Sequence, residues 1–357
     1  MNVATLTSKN HYPYVTKSII RLANTGALSN VTAIDIEPEY GYVTRLTYNN
    51  GSHRITYGND LGLNSAAACD LAQDKGHTKY MLRTLGIHCP NGKEFLLPWW
   101  YETIRQSQIT KKHTTIRTTD QAADYIDSTF EYPVYVKPVD GSKGNNIFKI
   151  QTPHELEEVF SLYNEKRIRV AVVEEPLYMP DYRIVCLDGV LISAYERIPL
   201  TITGDGSSSI HLLIKQLRQQ YEQRGRDTRL DSKDERILHH LRQQGMTIHD
   251  IPMLNQEIPL MPVSNLSTGG TSRDVTGSIH PRWVALAASI SNNFNLRLIG
   301  LDIACSDITS PSADYSIIEV NATPGLDHYV QSGDSQKELI DQLYTKILNA
   351  YPTAEKI

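Results

Sequence analysis

Apolar residues in this chain fall into two alternating patterns. In one they form short, nearly unbroken runs bounded by polar loops, which predicts buried strands. In the other they recur every three or four positions, which predicts amphipathic helices. Weak helical periodicity covers residues 18–27, and residues 31–36 and 42–48 read as strands. A stronger helix is expected from about 65 to 85, closing at Gly86 as its C-cap. Pro98-Trp99-Trp100 and the Lys/Thr-rich run 111–119 read as a surface connection. Tyr132-Pro133-Val134-Tyr135-Val136-Lys137-Pro138 is a β-type run, and the loop 141–146 separates it from a strand at 147–150, which makes a hairpin. Thr152-Pro153-His154-Glu155 is a capping box with Pro at the first helical position, and its helix should reach about 166. Residues 169–175 read as a strand, and 184–187 and 190–197 as a hairpin around the turn Asp188-Gly189. From 209 to about 244 the chain is polar and helical and reads as solvated helices. Further helices are expected over about 281–293 and 336–350, with two apolar strands between them. The pattern predicts an α/β (α+β) protein with units at 1–105, 106–180 and 181–357, the last carrying the polar insertion 205–260.

At 357 residues the chain has room for two or three subdomains with cores of their own. Its 40% hydrophobic and 21% charged residues are ordinary for a globular protein. A formal net charge of −5 gives no electrostatic case for nucleic-acid binding. Cys69, Cys89, Cys186 and Cys305 are scattered without metal-site spacing and read as reduced thiols, so a cytoplasmic location is expected. No stretch approaches the roughly 20 apolar residues of a membrane span. Residues 1–17 lack the apolar core and cleavage site of a signal peptide.

The chemistry concentrates in the two C-terminal strands. Leu298-Ile299-Gly300-Leu301-Asp302-Ile303-Ala304 carries one carboxylate in an apolar run, a costly arrangement unless it is paired or binds a metal. In Ile317-Ile318-Glu319-Val320-Asn321-Ala322-Thr323-Pro324-Gly325, the side chains of Glu319 and Asn321 are two apart and share a strand face. Three such oxygen ligands suit Mg²⁺ completed by substrate phosphates. The plainer alternative is a strand-end ion pair and a capping Asn. Lys137 ends a strand, and the loop after it, Gly141-Ser142-Lys143-Gly144-Asn145-Asn146, has backbone that can approach phosphate closely, although it lacks the Walker pattern. An ordinary flexible hairpin would look the same. Val172-Val173-Glu174-Glu175-Pro176-Leu177 runs into an irregular segment ending at Asp181, where backbone could meet a purine edge and an acid could meet ribose hydroxyls. Arg183 and Arg197 could converge on phosphate, or form surface ion pairs that contribute little. Residues 265–272, Asn265-Leu266-Ser267-Thr268-Gly269-Gly270-Thr271-Ser272, offer N–H groups and hydroxyls to a substrate carboxylate, or form a surface turn. His328 lies just past the Pro324-Gly325 turn, a place where structural or surface histidines are common. Cys305 reads as core.

The order of these pieces resembles the ATP-grasp ligase superfamily. Thr203-Gly204-Asp205-Gly206, the polar insertion, Leu241-Arg242-Gln243-Gln244-Gly245, Asn265 to Gly270 and Asp274-Val275-Thr276 follow in register. They look like the ATP-grasp region of cyanophycin synthetases and, more loosely, of the fused bacterial glutathione synthetases. Gln73-Asp74-Lys75-Gly76-His77-Thr78-Lys79, with Leu85-Gly86-Ile87, is similar to the opening helix of that family. The resemblance runs from about residue 60 to about 330. It implies an ATP-grasp fold, with nucleotide between two α+β lobes behind a small N-terminal α/β domain.

The resemblance also implies roles. Lys137 and the loop of Gly141, Ser142, Lys143 and Gly144 would cover the ATP phosphates, with Lys75 as a second cation. Glu174, Glu175 and Leu177 would form the adenine hinge, and Asp181 would bind ribose. Arg183 and Arg197 would hold phosphate or an acyl-phosphate. Asp302, Glu319 and Asn321 would bind Mg²⁺, two ions being expected and Mn²⁺ able to substitute. The N–H groups of Gly325 and Gly270 would face the carbonyl oxygen under attack, and His328 would meet the substrate; Arg273, a departure from the family, is expected to bind a carboxylate on a substrate. The activity implied is ATP-dependent ligation of a carboxylate to an amine of an amino acid or short peptide, through an acyl-phosphate. A glutathione-like or dipeptide ligase, a carboxylate kinase and a catalytically silent nucleotide-binding module stay open. Relatives of this kind are often homodimers or homotetramers. Cyanophycin synthetases carry an extra N-terminal domain and a Mur-ligase-like domain for which 357 residues leave no room, so the chain is not expected to make that polymer alone. The glycine loop reads Gly-Ser-Lys-Gly-Asn-Asn where the family more often has Asn, His and Arg. Gly277-Ser278 stands where acids are common, and Arg273 where an apolar residue is usual. These departures bear on the substrate.

Overall fold

Val15, Ile19, Leu22 and Ala23 recur at helical spacing, and together they bury one face of α1 (Tyr14–Asn24). Behind it lie β1 (Val31–Ile36), β2 (Val43–Tyr48) and β3 (His53–Tyr57), an antiparallel meander. The sequence pattern did not predict β3, a five-residue strand with few apolar residues. The structure is a computed structural model that describes residues 9, 11–106, 116–141, 144–223, 226 and 230–352. Most of the Lys/Thr-rich run lies outside these residues, as do Ser142 and Lys143. The helix expected over 65–85 is two helices, α2 (Ala66–Gln73) and α3 (Lys75–Thr84). Asp74 divides them: its backbone is extended and its carboxylate caps α3 by accepting from the His77 N–H at 2.9 Å. Gly86 follows in the left-handed region, φ 70°, as expected of a C-cap.

A second sheet has the antiparallel order β4-β7-β5-β6, from β4 (Gly92–Leu96), β5 (Val134–Pro138), β6 (Phe148–Ile150) and β7 (Val170–Glu174). Helices α4 (Pro98–Ile104), α5 (Ala122–Thr129) and α6 (Pro153–Glu165) accompany it. Because β4 pairs with β7, this unit begins before residue 106, where the sequence pattern drew its boundary. Pro98-Trp99-Trp100 opens α4 rather than a loop, and the Trp99 indole donates to the Ile168 carbonyl at 2.8 Å. Phe95, Ile126, Val136, Phe148, Val159 and Val173 form the core of this unit.

The third unit is a five-stranded sheet ordered β12-β9-β8-β13-β14. Its strands are β8 (Asp181–Leu187), β9 (Val190–Ile198), β12 (Thr271–Asp274), β13 (Leu298–Cys305) and β14 (Tyr315–Asn321). Asp188 (φ 50°) and Gly189 (φ 77°) both take positive φ between β8 and β9, as a tight hairpin turn requires. Helix α9 (Pro281–Asn293) packs Trp283, Ala287 and Ile290 against one face. The insertion contains β10 (Thr201–Thr203), α7 (Ile210–Gln223), α8 (Glu235–Gln243) and β11 (Glu257–Pro259). It is less solvated than its composition implies, because Ile202, Ile210, Ile214, Ile237, Leu241, Ile258 and Leu260 give it a core of its own. The chain closes with α10 (Asp327–Val330) and α11 (Asp334–Asn349). One core is common to the two ends: Ile19, Leu28 and Leu46 pack with Val185, Leu298, Tyr329, Ile340 and Leu343.

Candidate active site

Strand β13 is buried along its whole length between β8 and β14, and its register places the candidate ligands. Asp302 stands opposite Glu319 on one side and Arg183 on the other, and Gly300 stands opposite Asn321. The three oxygen-bearing side chains are therefore neighbours on paired strands. Asp302 is 1% exposed, so its charge needs partners. Arg183 forks onto it, with Nη2 donating to Oδ2 at 3.0 Å and Nε donating to Oδ1. Arg197 Nη2 reaches Asp302 at 2.8 Å and Asp181 at 2.9 Å. Burial alone would lift the Asp302 pKa, but the two guanidinium groups outweigh it and hold the carboxyl below its ordinary range. In Asp181 burial wins over Arg197, and its pKa is raised to about 6. The ion pairs of Arg183 and Arg197 are thus buried ones, not surface pairs.

The second sheet brings lysines to the same place. Lys137, at the end of β5, and Lys79, on α3, both reach the carboxylate of Glu174 at the end of β7; the Lys137 distance is 2.6 Å. All three residues are buried. Glu174 is a countercharge between two lysines, so its side chain is not free to serve an adenine hinge, and its backbone pairs with Gly92 and Tyr135 on either side. Burial, reinforced by the charge of Lys75, lowers the Lys137 pKa to about 8. Lys75 opens α3, one helical turn before Lys79 and on the same face. Its ammonium lies 3.1 Å from Glu319 and donates to the Gly141 carbonyl at 2.5 Å. Sequence reasoning singled out Lys75 and Lys137 but not Lys79, although the i, i+4 spacing from Lys75 was there to be read.

Between the two sheets lies a cavity of ≈ 70 Å³, lined among others by Lys75, Lys137, Gly144, Asp181, Arg197 and Glu319. Small-molecule sites usually hold about 300–1,000 Å³, so this cavity is closed to a ligand of nucleotide size as it stands. The hairpin is held down from the insertion: Arg236 Nη1 donates to the Gly144 carbonyl at 2.8 Å. Glu175 is tied to Asn91, whose N–H it accepts at 2.8 Å, and the Leu177 N–H makes no hydrogen bond within the described residues.

The substrate candidates separate. The Gly270 N–H donates to the Asn265 carbonyl at 3.1 Å inside its own turn, so it has no proton left for an oxyanion, contrary to expectation. Arg273 is 68% exposed on edge strand β12 and pairs with Glu196; it does not line the cavity. His328 sits on α10 with Nε2 3.8 Å from Asp327. Gly325 is exposed, and its N–H makes no hydrogen bond within the described residues. Asn321 Nδ2 donates to the Gly300 carbonyl at 3.3 Å. With Asp302 and Glu319 it could hold a hard cation. Among the described residues no group of three or more His, Cys, Asp and Glu could hold a metal by itself. Two carboxylates and an amide suit Mg²⁺ when phosphate oxygens and water complete its shell.

Residues 102–213 match the model of the RimK-like ATP-grasp domain. The chain is 32% identical over 297 residues to a cyanophycin synthetase of Geminocystis herdmanii, covering 81% of this chain and 31% of that protein. It is 30% identical over 235 residues to a bifunctional glutathione biosynthesis protein of Streptococcus agalactiae, covering 60% of this chain and 30% of that one. The chain thus spans about a third of the length of the curated relatives it matches. In fold it resembles the crystal structure of a bifunctional glutathione synthetase from Pasteurella multocida, with a TM-score of 0.55 at 19% identity over 94% of this chain and 44% of that one. The acid and amide side chains of two paired strands, the buried lysines of the second sheet, the domain match and the shared fold agree on one kinship: residues 102–213 match a RimK-like ATP-grasp domain, and the chain is similar in sequence to cyanophycin and glutathione synthetases.

Proposed function

We propose that this chain is an ATP-dependent carboxylate–amine ligase acting on amino acids or short peptides. The observation that carries the reading is the cavity lined by Asp302 and Glu319 together with Lys75 and Lys137, with Asn321 two residues beyond Glu319 on the same strand. Lys75 and Lys137 meet the ATP phosphates, with the loop of Gly141, Ser142, Lys143 and Gly144 above them. The backbone from Glu174 to Leu177 receives the adenine, and Asp181 the ribose. Asp302, Glu319 and Asn321 hold Mg²⁺, two ions in this reading, with Mn²⁺ as a substitute. When bound, the metal neutralises charge on the transferring phosphoryl group.

The reaction has two steps. A substrate carboxylate oxygen bonds to the terminal phosphorus and the bond to ADP breaks, which gives an acyl-phosphate. An amine nitrogen then bonds to the acyl carbon, phosphate leaves, and the nitrogen loses a proton. Arg183 and Arg197, fixed by Asp302 and Asp181, orient the phosphoryl oxygens, and the free Gly325 N–H faces the developing oxyanion. Acyl-phosphates hydrolyse, so a cleft that shuts out water serves this chemistry. A cytoplasmic homodimer or homotetramer completes the reading; among the described residues no helix is long and apolar enough to cross a membrane.

Glu319→Ala and Lys137→Ala are each expected to abolish amine-dependent ADP release while circular dichroism shows the fold intact. Near-normal turnover of purified Glu319→Ala overturns the reading. A glutathione-like or dipeptide ligase differs only in substrate, and the match to a glutathione biosynthesis protein favours keeping it. A phosphate-release screen over pairs of amino acids and short acidic peptides, with mass spectrometry of the products, separates the two.

A further inference from the structure

Polar side chains form one straight row across the face of the five-stranded sheet that carries Asp302. Asp274 on β12 stands opposite Tyr195 on β9, Tyr195 opposite Arg183 on β8, Arg183 opposite Asp302 on β13, and Asp302 opposite Glu319 on β14. Directly opposed residues share a face with Cβ atoms about 5 Å apart, so each side chain in the row flanks the next. Arg183, Asp302 and Glu319 have roles in the ligase reading, and Tyr195 has none.

Tyr195 is 2% exposed. Its ring stacks on Tyr329 of α10, with centroids 4.6 Å apart and planes 16° from parallel. Tyr329 is buried too, and its hydroxyl donates to Asp274 Oδ2 at the head of the row. Gln336 Nε2 donates to the same oxygen at 3.3 Å, and the hydroxyls of Ser272 and Ser332 meet at 2.8 Å, so the segment of α10 and α11 is fastened to β12. The Tyr195 hydroxyl makes no hydrogen bond within the described residues. Arg183 is confined on its other sides. Its Nε and Nη2 are taken by Asp302. Its shaft lies over Gly300, where a Cβ would come within 3.4 Å of Cδ and 3.1 Å of Nη1. Nη1 makes no hydrogen bond within the described residues.

We propose that Tyr195 is a positioning residue for Arg183. Its ring, braced by Tyr329, closes the flank of Arg183 that faces away from Asp302, so the guanidinium stays forked on Asp302 with Nη1 presented. The ring does this rather than the hydroxyl, which has no partner. The inference rests on the ligase reading only for what Nη1 meets, a phosphoryl oxygen.

One readout needs no substrate: hydrogen exchange of the Arg183 Nε–H, followed by NMR of isotope-labelled protein and assigned by its loss in Arg183→Lys. Exchange should quicken at least about tenfold in Tyr195→Leu and stay within about twofold of wild type in Tyr195→Phe. Tyr329→Leu leaves Tyr195 unbraced and should move the same way; it carries the test if Tyr195→Leu does not fold. The second readout is turnover with the best substrate pair from the phosphate-release screen. In Tyr195→Leu kcat should fall at least about tenfold while KM for ATP stays within about twofold, and Tyr195→Phe should keep both near wild type. In an Arg183→Lys background, Tyr195→Leu should cost less than about twofold further, because the residue it positions is already gone. A role that was only structural would cost the same factor in either background, and that result overturns the proposal. Unchanged exchange in both Tyr195→Leu and Tyr329→Leu also overturns it, and leaves the ligase reading intact. A wild-type protein that releases no ADP across the screen overturns the ligase reading, and the exchange measurement still decides the position of Arg183.

Discussion

Lys137 shows how a buried cation becomes sensitive to pH. Burial and Lys75 lower its pKa to about 8, against Glu319, Asp302 and a hydrogen bond with Lys79 that act the other way. Glu174 touches it directly. As pH rises through this value the ammonium loses its charge, so phosphate binding weakens. Nucleotide affinity should be flat below about pH 7 and fall about tenfold per unit above about 8. Fluorescent-nucleotide titration of wild type and Lys137→Met checks this; a slope that survives in Lys137→Met belongs to another group. Stability moves the opposite way. Between about 8 and the ordinary lysine value the unfolded chain binds more protons, so this group's contribution to stability rises with pH and is lost as pH falls through about 8. The sequence exposed Lys137 because a lysine ending an apolar strand is conspicuous. It exposed Asp302, Glu319 and Asn321 for the same reason. It could not expose the partner of Glu174, because which acid a buried lysine meets depends on how two sheets face each other. Nor could it show that the Gly270 N–H is taken by its own turn.

Helix α8 demonstrates the same limit for elements. Its polar composition reads as solvated, but nearly every polar group on one face meets the second sheet. His239 Nε2 lies 3.0 Å from the Lys149 carbonyl, and Gln243 Nε2 donates to that carbonyl at 2.6 Å and to Glu155 at 2.8 Å. Lys166 pairs with Glu235 at 2.5 Å. The helix ties the insertion to the hairpin over the cleft, a long-range partnership that periodicity does not encode. Gln243→Ala removes one donor from each of two acceptors that keep others, and should cost roughly 0.5–1.5 kcal/mol per bond lost. Hydrogen exchange should quicken at residues 148–150, and unchanged protection there would show that the strap carries no load. Elements set by local chemistry were legible: β1, the Asp188-Gly189 hairpin, the Thr152 cap and α9 all lie where the pattern put them. The break at Asp74 was not, because an N-cap inside a helical pattern looks like one more polar position.

Across the whole molecule, the N-terminal meander and the C-terminal helix share one core with the five-stranded sheet. Ile340 on α11 is fully buried in the core that also holds Ile19, Leu28, Val185 and Leu298. Ile340→Ala should cost about 2–5 kcal/mol and lower the Tm of a single transition. Calorimetry that resolved a separate early melting of residues 14–64 would contradict a common core.

The narrow cavity under Gly144 has a kinetic side. In the ligase reading, a chamber that shelters a reactive anhydride from water would also hold spent ADP, so the Arg236 and Lys75 contacts to the hairpin would have to open once to load and once to discharge. In that reading, opening of the hairpin competes with bond-making to set the rate of turnover.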